Sequence, residues 1–450
     1  MTVSDAKRSP ATFPHSAEWR ARAREVIPAG CHTYSKGDDQ FPALSPGFIV
    51  RGEGCYVEDV DGNSFLDWGM GLRSVILGHG YARVVDAAAA AIRAGTNFTR
   101  PSTIEVEFAE ELRDLIPCAE MVKFAKNGSD VTTAAVRLAR AATGRPLVAM
   151  PVEQPFFSVD DWFIGTTLVD AGIPEEIKAL SLTYHYGDLA SLERLFAEHP
   201  DRIAAVVTEA ATIDEPPAGY LDGVLRLARQ NGALLIFDEM ITGFRWHTRG
   251  AQALFGITPD LATFGKALGN GFSVSALVGR RDVMRLGGLD HDEPRVFLLS
   301  NTHGGETHAL AAARATVAEV VERDVVAHVW EIGKLLQVGL NEAARAVGLD
   351  EVVRCVGFPC SPALVFDPPT GGLAAGLRTL FLQETIARGV LMPYIAPSFS
   401  HGRAELERTV EAAAEAFQRI ERVVAGERLD DHLVGEPVRP VFRRFSRDLG

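Results

Sequence analysis

Leu234-Leu235-Ile236-Phe237-Asp238-Glu239-Met240, followed by Thr263-Phe264-Gly265-Lys266-Ala267-Leu268-Gly269-Asn270-Gly271, decides how the chain is read. Four apolar residues in a row, closed by acids, describe a strand buried on both faces. Such strands belong to parallel sheets with helices on either side. In open α/β sheets the ligand crevice lies beyond the carboxyl ends of the strands. Asp238 stands at such an end. Lys266 stands at the end of what reads as the next strand, among Gly265, Gly269 and Gly271. A lysine there is costly unless it is paired, exposed or chemically used. Desolvation lowers its pKa and makes the amine a nucleophile toward carbonyls. The plain alternative is a buried Lys–Asp ion pair with no chemistry.

Strand–helix alternation extends around this segment from about Gly80 to Val325. Met121–Ala125 reads as a strand, followed by Asn127-Gly128-Ser129-Asp130 and a helix to Arg140. Ile203–Glu209 and Phe272–Gly279 read as strands, and Tyr220–Gln230 as a helix closed by Asn231-Gly232. Upstream lie an amphipathic helix from Ser16 to Ile27, a polar loop from Cys31 to Phe41, and a hairpin turning at Asp61-Gly62-Asn63. Downstream, a long helix from Ala404 to Ala425 precedes a charged, Pro-containing end expected to pack on the surface or on a partner subunit. The expected organisation is a large domain at 76–325 and a smaller α+β domain built from 1–75 and 326–450.

Composition narrows the class. Of 450 residues 47% are hydrophobic and 23% charged, the balance of a globular protein. Lys+Arg 45 against Asp+Glu 59 leaves −14, which argues against nucleic acid or an anionic membrane as the main partner. Five cysteines without a CxxC pair read as reduced thiols, hence a cytoplasmic location. Residues 1–7 show no apolar leader, and no run approaches the ~20 apolar residues of a membrane span.

An acid and a lysine in one crevice fit pyridoxal 5'-phosphate (PLP). The lysine would form the Schiff base, and the acid would pair with the pyridinium nitrogen. The phosphate needs a seat, and Asn127-Gly128-Ser129-Asp130 opens a helix where free N–H groups and the dipole favour an anion. Thr302, in Leu299-Ser300-Asn301-Thr302-His303-Gly304-Gly305, is a second hydroxyl candidate.

With these residues in view, the chain resembles the class III, fold-type I PLP-dependent aminotransferases, most closely the group around glutamate-1-semialdehyde 2,1-aminomutase. The resemblance runs from about Pro28 to His401. It rests on Phe237 through Arg245, Gly265-Lys266, Asn127 through Gly144, and the Asp238–Lys266 spacing. It implies a mixed, mostly parallel seven-stranded sheet covered by helices. It implies that Lys266 holds PLP and shuttles a proton, that Asp238 binds the ring nitrogen, and that Gly128 and Ser129 bind the phosphate. Thr302 would reach the phosphate across a homodimer interface. Glu209 matches an active-site glutamate, with Ala210 where the family has Pro, and Phe156 the aromatic that stacks on the ring.

Two departures stand out. The family's Tyr-His-Gly is replaced by Phe156-Phe157-Ser158, with Phe157 expected in the core. The N-terminal loop arginine that grips the aminomutase substrate is absent from Gly30–Gly37. Tyr34, Lys36, Arg73, His303 and His401 are therefore the substrate candidates, with Arg73 and Arg245 as possible carboxylate clamps. No metal is expected, since His303 and His308 around Glu306 lack HExxH spacing. The expected activity is amino transfer from a small-molecule donor to a carbonyl acceptor, in a specialised biosynthetic role. An intramolecular aminomutase is the alternative, and a catalytically silent homologue the reading from another class.

Overall fold

The computed structural model describes residues 12–369 and 372–443. The leader reading at 1–7 and the last part of the C-terminal extension, 444–450, lie outside them. The described chain forms two units.

The first unit gathers the described residues up to Met70, Leu77–Gly80 and Ala327–Val441. Strands β1 (Ile49–Glu53), β2 (Tyr56–Asp59) and β3 (Ser64–Asp67) form an antiparallel meander, and Val390–Leu391 adds parallel to β3. The β2–β3 turn forms because Asp59 Oδ1 accepts the N–H groups of Asp61 at 3.0 Å and Asn63 at 2.7 Å. The long helix runs Arg403–Val424 and lays Phe417 on Phe381, ring centroids 5.4 Å apart.

The second unit comprises Gly71–Ile76, Tyr81–Val326 and the described residues from Phe442. Its seven strands are β4 (Met121–Ala125), β5 (Leu147–Pro151), β6 (Ser181–Tyr184), β7 (Ile203–Thr208), β8 (Leu234–Glu239), β9 (Leu261–Phe264) and β10 (Ser275–Gly279). They lie in the order β4-β10-β9-β8-β7-β5-β6, and only β10 runs antiparallel to its neighbours. The seven-stranded, mostly parallel sheet expected from the resemblance is present. Strands β5, β7, β9 and β10 are buried along their whole length, because helices cover the sheet. The helix Gly128–Thr143 shows why: Val131, Ala135 and Leu138 lie on one face and pack with Val148, Ala205, Ile236 and Leu277 of the sheet. Burying each of the Val, Leu and Ile side chains among them contributes about 1.5–3 kcal/mol.

Boundaries differ from the sequence reading in two instructive places. Strand β10 begins at Ser275 rather than Phe272. Strand β7 stops at Thr208, because the Glu209 N–H and carbonyl bond the Gln154 side chain instead of a neighbouring strand.

Candidate active site

Strand register builds the site. Thr208 pairs with Phe237, and Asp238 pairs with Thr263. Glu209, one residue past Thr208, therefore comes level with Asp238. Side chains of laterally paired residues leave the sheet on the same side, whereas successive residues alternate. Asp238 thus faces the cluster and Glu239 faces away. Glu239 accepts the Ala251 N–H at 2.7 Å, the Gln252 N–H at 3.0 Å and the Thr242 hydroxyl. It serves the helix that opens at Ala251, so of the two acids ending the strand only one is left for chemistry.

Lys266 follows β9 after Gly265. Its φ of +44° places a non-glycine residue in the left-handed region, a conformation that costs about 1–3 kcal/mol and that surroundings must enforce. The two glycines nearby have a packing reason. A Cβ on Gly265 would lie 2.7 Å from Met240 Sδ, and one on Gly128 would lie 2.9 Å from the same sulfur. Met240 therefore fills the space that both glycines leave.

The charges are pushed toward neutrality. Burial, with the nearby Asp238, raises Glu209 to about 8 against the pull of the Lys266 and Arg73 cations. Burial lifts Asp238 to about 6 against the Lys266 amine and the Met240 N–H, which donates to Asp238 Oδ1 at 2.8 Å. Burial also holds the Lys266 amine below its ordinary range, opposed by Asp238 and Glu209 and reinforced by Arg73 and Arg245. Lys266 keeps some solvent access, whereas Asp238 and Glu209 are buried. An amine that deprotonates readily is a nucleophile for carbonyls.

The Gly128–Thr143 helix is the candidate anion seat. Asn127 caps it, and Asp130 Oδ2 accepts the Asn127 N–H at 2.9 Å. The Ser129 hydroxyl accepts the Val159 N–H at 3.0 Å, and the Thr132 hydroxyl donates to the Phe157 carbonyl at 2.8 Å. The loop after β5 is thereby pinned onto the first turns of the helix. Phe157 is buried, as the sequence reading expected, while Phe156 is 43% exposed and meets Phe163 edge-on at 5.7 Å. An amine with an adjacent acid, an exposed aromatic, and a long helix opening on Gly128-Ser129 together match the parts of PLP: aldehyde, ring nitrogen, ring face and phosphate. The residues present fit that group.

The remaining candidates have their own surroundings. Thr302 lines a polar cavity of about 200 Å³ with Asn97, Arg100 and Ser102, and its carbonyl accepts the Asn97 amide at 2.9 Å. His303 Nδ1 lies 2.8 Å from Glu306 Oε1, and Glu306 also pairs with Lys126 at 2.7 Å. Arg73 sits in left-handed backbone, φ +68°, and its carbonyl accepts a bond from the buried Arg245 guanidinium at 3.3 Å. Tyr34, Lys36 and His401 belong to the first unit. Tyr34 and Lys36 are exposed there; His401 is buried, stacked on Trp68 at 4.0 Å, with Nδ1 2.8 Å from the Ser398 hydroxyl.

Sequence reasoning missed Gln154 and Tyr186. Gln154 grips the Glu209 backbone, and the Tyr186 hydroxyl donates to the Ala210 carbonyl at 2.7 Å. Neither sits in a motif, and periodicity carries no signal for a side chain that bonds a distant backbone.

Known proteins of similar sequence and structure identify the family. The model of the class III aminotransferase family matches residues 34–424. The glutamate-1-semialdehyde 2,1-aminomutase of Syntrophobacter fumaroxidans is 34% identical over 432 residues, covering 90% of this chain and 97% of its own. The 3-aminobutyryl-CoA aminotransferase of Cloacimonas acidaminovorans is 32% identical over 419 residues, covering 89% and 96%. The FumI protein of Sphingopyxis sp. MTA144, solved in its PLP internal aldimine form, superposes with a TM-score of 0.84 at 26% identity, covering 92% of this chain and 98% of that one. The chain belongs to the class III aminotransferases, PLP-dependent enzymes of fold type I.

Proposed function

We propose that this enzyme moves an amino group from a carboxylate-bearing donor to a separate carbonyl acceptor, with Lys266 as the residue that holds PLP. The observation that carries the reading is the partly exposed Lys266, its amine held below the ordinary range, beside buried Asp238 and Glu209. When bound, PLP supplies an aldehyde that condenses with amines and a ring that takes up the electrons of a breaking C–H bond. The chain's residues do the rest. Asp238 would hold the ring nitrogen and its proton, and the bond from the Met240 N–H fixes the carboxylate. Gly128 and Ser129 offer backbone N–H groups to the phosphate at the helix opening. Phe156, exposed on its loop, would cover the ring face. The Lys266 amine, held below its ordinary range, would be the base that takes and returns the proton at the substrate carbon. Glu209 gives up or takes a proton near neutrality and so sets the charge next to that amine. Arg73, close enough to influence both Glu209 and Lys266, pairs with the substrate carboxylate.

Relatives named glutamate-1-semialdehyde 2,1-aminomutase favour a second reading, in which donor and acceptor are one molecule. We further propose a cytoplasmic homodimer in a biosynthetic role. The five cysteines carry free thiols, in keeping with a reducing compartment, and no described helix is long and apolar enough to cross a membrane. Thr302 would serve the neighbouring subunit.

One experiment tests the reading. The PLP-loaded protein is reduced with borohydride and digested, and candidate amines are separately screened for conversion of PLP to its amine form. Modification at Lys266, with conversion by an amino acid and return by a keto acid, is expected. Modification of another side chain refutes the Lys266 assignment. Isomerisation of one compound without any keto acid selects the aminomutase.

A further inference from the structure

The loop after β5 makes a set of bonds that the assigned roles do not explain. Glu153 and Gln154 are adjacent, and β5 lies between β6 and β7. Glu153 reaches toward β6: its carboxylate accepts the Tyr186 N–H at 2.9 Å and lies 2.7 Å from His185 Nδ1. Gln154 reaches toward β7. Its Oε1 accepts the Glu209 N–H at 2.8 Å and the Thr208 hydroxyl at 3.1 Å, and its Nε2 donates to the Glu209 carbonyl at 2.9 Å. One buried amide thus satisfies both backbone groups of the residue whose side chain stands beside Asp238. The Tyr186 hydroxyl fixes the next carbonyl, that of Ala210, and its ring meets Tyr220 at 4.9 Å. Two residues beyond Gln154, Phe156 begins the stretch that Thr132 and Ser129 pin to the phosphate-seat helix.

We propose that Gln154 is a positioning residue: its side-chain amide sets where the Glu209 carboxyl stands and locks it to the Phe156 loop, so that acid and ring cover keep one spacing. The argument has three steps. Beyond Thr208 the sheet ladder no longer holds Glu209, so its backbone takes its place from whatever bonds replace the ladder. Those bonds come from a side chain, and a side-chain amide in a fully bonded, buried setting has no second arrangement of equal energy. The amide belongs to the chain segment that carries Phe156, so a shift of either partner moves the other. This rests on the function proposed above for Glu209 and Lys266.

The test is a double-mutant cycle in the PLP-loaded enzyme, with Gln154→Met, Glu209→Gln and their combination, read by the single-turnover rate of an amino donor from pH 6 to 10. Gln154→Met keeps the side-chain length and removes both polar atoms. The expected result is a ~10-fold or larger loss of rate in the native background, since sub-ångström misplacement of a reacting group is expensive in rate. The pH limb near 8 should shift, and the combined variant should be no slower than Glu209→Gln alone. An equal loss from Gln154→Met in both backgrounds, with the limb unmoved, assigns Gln154 to packing and overturns the proposal. Should Gln154→Met fail to fold, Gln154→Glu decides. It keeps the acceptor for the Glu209 N–H, loses the donor, and sets a carboxylate beside Glu209, so the limb must move to higher pH. An unmoved limb overturns the proposal. Borohydride modification at Lys266 is expected in every variant. Its absence already in the native protein would be a failure of the Lys266 reading rather than of the Gln154 one.

Discussion

Replacing Glu209 by Gln is expected to stabilise the PLP-free protein while damaging its activity, and the stability gain should grow with pH. Glu209 titrates near 8 in the fold against an ordinary 4.5, because burial and the neighbouring Asp238 disfavour its charge. A folded-state value above the unfolded one means that the fold binds the extra proton between those limits. Stability from this group is therefore complete below pH 4.5 and is lost as pH rises through 8. The gap is about 3.5 pH units, on the order of 5 kcal/mol in full at about 1.4 kcal/mol per unit. By pH 7 about 3 kcal/mol of it has already been forfeited, because the unfolded chain is ionised and the folded one must stay protonated or carry a buried charge. Glutamine has no charge to bury and keeps the shape. Urea unfolding followed by circular dichroism, from pH 5 to pH 9, measures both proteins. Subtracting one curve from the other cancels titrations common to both. The difference should widen in favour of Glu209→Gln by about 4 kcal/mol across that range. A difference that stays flat, or that narrows with rising pH, refutes the claim that Glu209 is held protonated beside Asp238. A gain in stability with a loss in turnover would mark Glu209 as retained for chemistry at the expense of the fold.

Asp238→Asn keeps the Met240 bond geometry but removes the charge opposite the ring nitrogen; PLP affinity measured by fluorescence titration should fall about 10- to 100-fold, the worth of one charged hydrogen bond, and unchanged affinity would contradict the pairing. Gly128→Ala and Gly265→Ala each press a methyl on Met240 Sδ and should cost about 1–3 kcal/mol by thermal melting. Because they crowd the same sulfur, their costs together should differ from the sum, and strict additivity would show that Met240 is not the shared obstacle. Arg73→Met should lower kcat/KM for carboxylate-bearing donors about 10- to 100-fold and leave amines without a carboxylate nearly unaffected; equal losses on both would remove Arg73 from substrate recognition.

Much of this was legible in the sequence, for physical reasons that also mark where legibility stops. Buried parallel strands show as continuous apolar runs, so β7 and β8 and their terminal acids could be placed from composition alone. Lys266 stood out because a lysine beside an apolar run is anomalous. Choosing between Asp238 and Glu239 needed only strand alternation, once the strand end was known. Gly128 was read as room for a ligand; the structure adds that Met240 already requires a glycine there. That requirement joins residues 112 positions apart and leaves no periodic trace. His401 is buried, stacked on Trp68 and bonded to Ser398, surroundings that no sequence pattern signals.

The line between the two kinds of residue follows the kind of bond that places them. Lys266 is placed by the turn that follows β9, and Asp238 by the sheet, whose repeat is written into the chain as hydrophobic pattern. Glu209 begins that way and leaves it within one residue. From Thr208 onward its backbone is held by Gln154, and the next carbonyl by Tyr186, so its position depends on loops that follow β5 and β6. A carboxyl placed by a sheet can be altered only by changing the sheet. One placed by a loop amide can be retuned by a single loop substitution that leaves the core intact. If that reasoning is right, substitutions at 153, 154 and 186 should change the pH dependence and substrate preference of turnover while leaving the thermal midpoint within a few degrees. Substitutions at Phe237 or Ile236 should do the reverse, costing about 2–5 kcal/mol on truncation to Ala with the pH profile unmoved in the molecules that remain folded.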